Sequence, residues 1–296
     1  MRIGITGASG YVGGAVGQAA ELAGHEVVPF ARRRPSTGEW RPFELGSRRA
    51  PDVSDLDALV HCAHDFSAVG EAIERTNLDG ARRLLVACER AEVPVVLLSS
   101  MSAFDGARSR YGRVKRSLEA IVVRQRGAAV RAGVVVGRDA GGIFGSLTAS
   151  VRERGVVPVP GGGHQPLYVS DVDAICAEVL DLAAAQRPGA LVFGAHRTPV
   201  TLRDIVGHVA DAERRQVRVV GVPWRLVHGA LRTAEALGRP APFRSDSLLS
   251  LVHPAPVEQL GRLDSGCADY LPLDVLAAKA AMAPAPTRIE LTPISG

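Results

Sequence analysis

The chain has 296 residues, of which 46% are hydrophobic and 22% charged, the composition of a globular protein that can bury a large core. Its net charge is +4 and only 4% of its residues are aromatic. Because the basic residues do not interleave with aromatic ones, a nucleic-acid partner is not expected. The apolar runs are too short to span a bilayer and the N-terminus lacks a signal-peptide pattern, so we expect a cytoplasmic protein with no membrane partner.

The first elements surround a glycine-rich turn. Residues 2–5 form an apolar run that predicts a buried parallel strand, and residues 11–22 have helical periodicity. Gly7 permits a sharp bend, Gly10 lets backbone N–H groups approach a pyrophosphate, and Gly13 lets the helix pack closely on the strand. The spacing is GxxGxxG, and an ordinary tight turn is the alternative interpretation. Its place after the first strand favours a dinucleotide site.

The second predicted strand, residues 25–31, leads into three arginines, Arg32, Arg33 and Arg34. A protein that prefers NAD has an acidic side chain there for the ribose 2′-hydroxyl. A guanidinium instead pairs with a 2′-phosphate through two hydrogen bonds. The sequence therefore predicts NADP as the cofactor, with NAD as the alternative, and a basic solvated loop is the other interpretation of the run.

A helix predicted over residues 107–125 carries Tyr111 and Lys115 four positions apart, on one face. A free phenol has a pKa of about 10, and a neighbouring ammonium or cationic nicotinamide lowers it. We therefore expect Tyr111 to be an acid–base catalyst and Lys115 to lower its pKa. The remaining basic residues are arginines apart from Lys279, an arginine bias that we associate with a bacterial source. A solvated helix face is the alternative.

The four cysteines and eight histidines lack the paired spacing of metal ligands, so no metal site is expected. Strand and helix patterns alternate as far as residue 137, which predicts an α/β fold with a Rossmann-type doubly wound parallel sheet. Glycine and proline interrupt this pattern afterwards. The predicted division has a dinucleotide-binding core of residues 1–140, with 165–200 returning to it, and a smaller substrate-binding lobe of residues 141–164 and 201–296. The last dozen residues are expected to form a tail.

Five segments occur in the order typical of one family. They are TGASGYVG (6–13), SSMSAF (99–104), YGRVK (111–115), RAGVVVG (131–137) and PLYVSDVD (166–173). On these motifs, residues 1–225 resemble the extended short-chain dehydrogenase/reductases, the NAD(P)-dependent epimerase/dehydratase family. The resemblance implies a Rossmann fold, a nicotinamide cofactor and a Ser-Tyr-Lys triad.

The resemblance also assigns further site residues. It makes Ser100 the third catalytic residue, with Ser99 and Ser102 as near alternatives, and it makes Asn77 a supporting residue on a helix. It places Glu44 and Leu45 beside the adenine, and Cys62 and Ala63 near the pyrophosphate and ribose. The complete set of expected cofactor contacts is Gly7, Ser9, Gly10, Tyr11, Val12, Gly13, Arg32, Arg33, Glu44, Leu45, Cys62, Ala63, Tyr111 and Lys115.

The expected function is that of an NADP(H)-dependent ketoreductase acting on a small or medium polar carbonyl compound or alcohol. An epimerase of a sugar-like substrate and a catalytically silent cofactor-binding regulatory protein are the alternatives. Sugar dehydration is not expected, because Met101 and Ser102 replace the Asp-Glu pair of the related dehydratases. A small-molecule substrate is the expected partner, and a homodimer is left open.

The substrate pocket is expected outside the recognisable cofactor core. The segments predicted to form it are residues 141–163, the chain from 222 onward, and the short loop 101–110. They are expected at the carboxyl ends of the strands, where open α/β sheets bind ligands. Phe104, Tyr168 and Trp224 are its candidate walls.

Overall fold

The computed structural model describes residues 1–34, 38–67, 70–137, 139–239 and 243–282, so the predicted tail lies outside the described residues. The strands are β1 (Arg2–Thr6), β2 (Glu26–Ala31), β3 (Arg41–Pro42), β4 (Ala58–His61), β5 (Val95–Ser100), β6 (Ala128–Ala132), β7 (Val134–Val136), β8 (Val156–Pro160), β9 (Val169–Asp171), β10 (Leu191–Gly194), β11 (Arg218–Val222) and β12 (Asp264–Ser265). The helices are α1 (Tyr11–Leu22), α2 (Glu71–Arg90), α3 (Arg110–Arg124), α4 (Gly142–Glu153), α5 (Val172–Ala185), α6 (Leu202–Ala212), α7 (Trp224–Ala236), α8 (Ser245–Val252), α9 (Val257–Leu260) and α10 (Leu273–Ala281), with a short 3₁₀ turn at Gly161–Gly163.

Within these ranges the centre of the fold is an eight-stranded sheet in the order β3-β2-β1-β4-β5-β6-β10-β12. Every neighbouring pair of its strands runs parallel. Strand order reverses between β1 and β4, which creates the crevice where doubly wound sheets bind dinucleotides. The predicted α/β Rossmann-type fold is confirmed.

Apolar helix faces cover both sides of this sheet. Val16 of α1 and Ile175 of α5 pack against Ile3 and Ile5 on one side. On the other side, residues of α2 and α3 bury a second cluster that contains Leu59. Strands covered on both faces must be apolar throughout, which explains why β1, β4 and β5 read as continuous hydrophobic runs.

A smaller lobe lies beyond the sheet. Helices α4, α6 and α10 share a third apolar cluster with β8, and β8 pairs with β11 in a separate two-stranded sheet. Residues 264–265, which the predicted division assigns to this lobe, instead form strand β12 at the edge of the large sheet. None of the described helices is long and apolar enough to cross a bilayer.

Two element boundaries depend on single residues. Strands β6 and β7 are divided at Gly133, where an added Cβ would lie 2.1 Å from the carbonyl oxygen of Tyr168; β7 then pairs with β9 instead of continuing in the large sheet. Helix α3 begins at Arg110 instead of residue 107, because the Ser109 side chain accepts a hydrogen bond from the N–H of Gly112 and caps the helix there.

Candidate active site

The glycine turn forms one wall of a cavity of about 570 Å³ at the carboxyl ends of β1, β2 and β4. Gly7 has a φ of +69°, and a Cβ there would lie 2.9 Å from the backbone of Ala63. A Cβ on Gly13 would lie 2.3 Å from the carbonyl oxygen of Gly7. Gly10 is the N-cap of α1, whose first turn carries no acidic side chain. This groove therefore fits an anionic dinucleotide held at a helix N-terminus.

Most of the expected cofactor contacts line this groove. Those that do are Gly7, Ser9, Gly10, Tyr11, Val12, Gly13, Arg32, Glu44, Leu45, Cys62 and Ala63. Arg33 is exposed and outside the lining, and Tyr111 and Lys115 lie beyond its inner end.

Tyr111 and Ser100 meet where a second cavity of about 390 Å³, the chamber, adjoins the groove. Ser100 is the last residue of β5, Tyr111 is in the first turn of α3, and the Ser100 hydroxyl is close enough to lower the pKa of the Tyr111 phenol. The buried Lys115 donates a hydrogen bond from Nζ to the carbonyl oxygen of Leu98 at 2.7 Å. Its Nζ lies 6.0 Å from the centroid of the Tyr111 ring. The three expected catalytic side chains are thus brought together.

The pKa of Tyr111 differs from the sequence expectation. Burial raises this pKa to about 12, although the hydrogen bond with Ser100 acts in the opposite direction. Burial lowers the pKa of Lys115 to about 8, opposed by Cys62 and Glu119. The cost of burying a phenolate therefore outweighs the expected lowering of the pKa by the Lys115 ammonium. At neutral pH, Tyr111 is therefore a protonated donor.

The neighbouring serines have other contacts. Ser99 donates a hydrogen bond at 2.5 Å to Glu119, which forms a buried ion pair with Arg131. Ser99 is therefore held below the sheet edge and away from the chamber. Ser102 lines the chamber, and its backbone N–H donates to the Ser100 hydroxyl at 3.2 Å.

Asn77 lies on α2, is buried, and binds the loop that follows β4. Its side-chain oxygen accepts from the N–H of Asp65 at 2.7 Å, and its amide donates to the carbonyl oxygens of Asp65 and Ile73. Its side chain therefore fastens this loop to α2, and its catalytic support stays a prediction.

The loop after β4 adds two residues that the sequence analysis does not select. The ring centroid of His64 lies 4.9 Å from that of Tyr111, and the ring of Phe66 stacks on Tyr111 at 5.9 Å. Burial, and then the charge of Lys115, lower the pKa of His64 to about 2, so its ring is neutral. In the sequence, these two residues could have been identified by their position directly after a buried parallel strand, where ligand-binding residues concentrate.

The chain beyond the large sheet also fixes the helix that carries Tyr111. Asp246 of α8 accepts hydrogen bonds from the N–H groups of Arg110 and Tyr111 at 2.8 and 2.9 Å. These two N–H groups begin α3 and have no partner inside the helix. The position of Tyr111 therefore depends on a carboxylate from the other lobe.

The lining of the chamber is mainly apolar. Met101, Ile143, Phe144, Leu167 and Leu251 contribute to it, and no charged side chain is found among the described residues that line it. Tyr168 is a wall, as expected.

Two candidate walls are wrong. Phe104 is buried in an apolar cluster with Phe193, and Trp224 packs against His228 and His253 on the lobe. Neither lines the chamber.

A dinucleotide groove that ends at a Tyr-Ser-Lys group defines a nicotinamide-dependent enzyme of the Rossmann type. The chain belongs to the NAD dependent epimerase/dehydratase family, whose model matches residues 3–192. The expected family is thereby confirmed.

Solved structures share the fold. The NAD-dependent NDP-hexosamine 5,6-dehydratase TunA, involved in tunicamycin biosynthesis, is 20% identical, with a TM-score of 0.68, over 95% of this chain and 96% of that one. The UDP-glucose 4-epimerase of Thermus thermophilus, in complex with NAD, is 18% identical, with a TM-score of 0.62, over 75% of this chain and 86% of that one.

A curated relative matches part of the chain. The ceramide reductase of Caulobacter vibrioides (strain NA1000 / CB15N) is 32% identical over 127 residues, which is 40% of this chain and 40% of the relative.

Proposed function

We propose that this chain is an NADP(H)-dependent ketoreductase whose carbonyl substrate is mainly apolar. The observation that carries the proposal is the position of Tyr111 and Ser100, where the cofactor groove opens into an apolar chamber. The carbonyl oxygen would lie against these two hydroxyls, with the rest of the substrate in the chamber.

The residues fit carbonyl reduction. Because its pKa is raised to about 12, Tyr111 holds its proton at neutral pH and is suited to donate it to the carbonyl oxygen as negative charge develops. Ser100 orients that oxygen and stabilises the charge. Lys115 places a cation behind the phenol, which favours proton release. When bound, the nicotinamide supplies the hydride.

The chamber also indicates the polarity of the substrate. A sugar or other polyol has hydroxyl groups that need hydrogen-bonding partners, and burying them without partners is costly. The polar side chains of the chamber are the hydroxyls of serines and tyrosines, and the rest of the lining is apolar, with Ile143, Phe144 and Leu251 among its residues. This lining favours an apolar carbonyl compound over the polar one expected from the sequence. It also favours reduction over the epimerisation of a sugar.

The NADP preference is part of the proposal. Arg32 lines the groove at the end of β2, and neither a hydrogen bond nor an ion pair engages its side chain within the described part of the chain. Its charge contributes to lowering the pKa of Asp65, which also lines the groove, and its guanidinium donors can pair with a 2′-phosphate. The relative named a ceramide reductase adds support for a reductase.

The test is consumption of NADPH with a matched series of carbonyl substrates. We expect turnover of 2-octanone and 2-dodecanone and at least about tenfold lower kcat/KM for dihydroxyacetone, because burying polar groups without partners opposes binding. UDP-glucose is the epimerase control, assayed by product composition. Epimerisation of UDP-glucose without consumption of NADPH, or reduction of the polar ketone only, would overturn the proposal.

A further inference from the structure

A second cleft, of about 260 Å³, opens beside the chamber and is called the arginine cleft. Phe66, Tyr111 and Ser247 line both cavities, so the two adjoin at Tyr111. Among the described residues, the charged side chains that line the arginine cleft are Arg108, Arg110, Arg113, Arg232, Arg244, Glu235 and Asp246. Five cations thus face two carboxylates.

Neither carboxylate of the cleft neutralises an arginine. Glu235 accepts hydrogen bonds from the N–H and the hydroxyl of Ser245, both at 2.7 Å. Asp246 accepts the N–H groups of Arg110 and Tyr111. Both carboxylates keep their charge, and Glu74 pairs with Arg113 from outside the lining, so five cations against three anions leave the cleft with an excess of positive charge.

Two of the guanidinium groups have unused donors. Nη1 of Arg110 is buried without a hydrogen-bond partner. Arg232 is exposed, and within the described ranges no hydrogen bond or ion pair engages it. Arg113, by contrast, is paired with Glu74 at 2.6 Å, and Arg244 donates to the carbonyl oxygen of Phe66. The unused donors are those that an anionic group would need.

We propose that the arginine cleft binds an anionic group, a carboxylate or a phosphate, that belongs to the substrate itself. The inference rests on the proposed function and deepens it: the substrate is amphiphilic, with its apolar part in the chamber, its carbonyl at Tyr111 and its anionic group at Arg110 and Arg232. Because the two cavities share these walls, they lie side by side at Tyr111, within the length of one extended molecule. The cleft then selects acids over neutral analogues, because a missing anion leaves its guanidinium groups unpaired.

Binding tests the inference without turnover. Dodecanoate and dodecanol are titrated calorimetrically into the NADPH-bound protein, with inorganic phosphate as the free anion. We expect dodecanoate to bind at least about tenfold more tightly than dodecanol, as charge-assisted hydrogen bonds imply. Arg110→Gln and Arg232→Gln should each reduce this preference by about tenfold. Equal affinities, or a preference that both variants retain, would overturn the inference.

Arg124→Gln is the matched control. Arg124 is exposed at the other end of the same helix, 14 positions from Arg110 and about 20 Å away, so its loss should leave the preference unchanged. A preference lost equally in this control would indicate a general charge effect and overturn the site. If inorganic phosphate abolishes the preference for dodecanoate at micromolar concentration, the arginine cleft is a site for a free anion. That result would refute an anion carried by the substrate.

Kinetics separate this inference from the proposed function. Each of several oxododecanoic acids, with the keto group at different positions, is compared with its methyl ester by kcat/KM. A higher kcat/KM for at least one acid than for its methyl ester, with a smaller ratio of the two in Arg232→Gln, supports both proposals. Turnover without any preference for the acid refutes the arginine cleft alone. Tight binding of dodecanoate with no reduction of any ketone refutes the reductase and leaves the anion site standing.

Discussion

Removal of the Asp246 carboxylate should destabilise the catalytic helix from a position far away in the sequence. Asp246→Ala leaves the N–H groups of Arg110 and Tyr111 without their acceptor, and it also removes a negative charge from the positive end of α3. A lost helix cap costs about 0.5–2 kcal/mol, and a hydrogen bond to a charged group about 1.5–3 kcal/mol. Because Asp246 is partly exposed, we expect a loss near the lower ends, about 2 kcal/mol in all.

Thermal unfolding and steady-state kinetics measure the two consequences. The loss corresponds to a fall in Tm of about 3–6 °C. A displaced Tyr111 should lower kcat by about tenfold or more, since small misplacements of a catalytic group are costly. Asp246→Asn keeps one acceptor oxygen and should recover part of both losses. Asp274→Ala, an exposed acid in the first turn of α10, is the control. An Asp246→Ala protein with the Tm and kcat of the control would refute the coupling.

Four further predictions concern the site itself. Tyr111→Phe should lower kcat by about two to four orders of magnitude with little change in the Kd of NADPH; near-normal turnover would assign the proton to another residue. Because the pKa of Lys115 is lowered to about 8, its charge is present below that pH and lost above it, so kcat/KM should fall as pH rises through about 8; a decline only above pH 10 contradicts this. Ser100→Ala should lower kcat by about 10²–10³-fold, and equal loss in Ser102→Ala would remove the distinction between them. Arg32→Asp should shift the ratio of NADPH to NADH affinity toward NADH by at least about tenfold, whereas equal wild-type affinities would exclude the NADP preference.

The parts of the site that could be predicted depend on residues close together in the sequence. A Cβ on Gly13 would meet the carbonyl oxygen of Gly7 within the same turn, and the positive φ of Gly7 is also a local property, although a Cβ there would meet the backbone of the distant Ala63 as well. Tyr111 and Lys115 share a helix face by virtue of their spacing alone. Alternation of strands and helices then determines the sheet, because parallel strands need crossover helices.

The remaining parts depend on contacts between distant residues. Asp246 bonds to a backbone N–H that lies 136 positions earlier, and no local pattern distinguishes it from any other acid in a first turn. The raised pKa of Tyr111 likewise depends on burial that only the assembled fold produces. Phe104 and Trp224 are aromatic like Tyr168, but only Tyr168 of these three lines the chamber. The fold places Phe104 in an apolar cluster instead.

One short helix, α8, therefore affects both binding and chemistry. Its Asp246 caps the helix that carries Tyr111, and its Ser247 lines both the chamber and the arginine cleft. Ser250 lines the chamber and donates a hydrogen bond at 2.8 Å to Ser109, the N-cap of the catalytic helix. Because these groups lie within one helical turn and a half, a substitution that reshapes the chamber from α8 also shifts the support of α3. If Tyr111 is the proton donor, as proposed, changes in specificity made at α8 should therefore alter kcat together with KM.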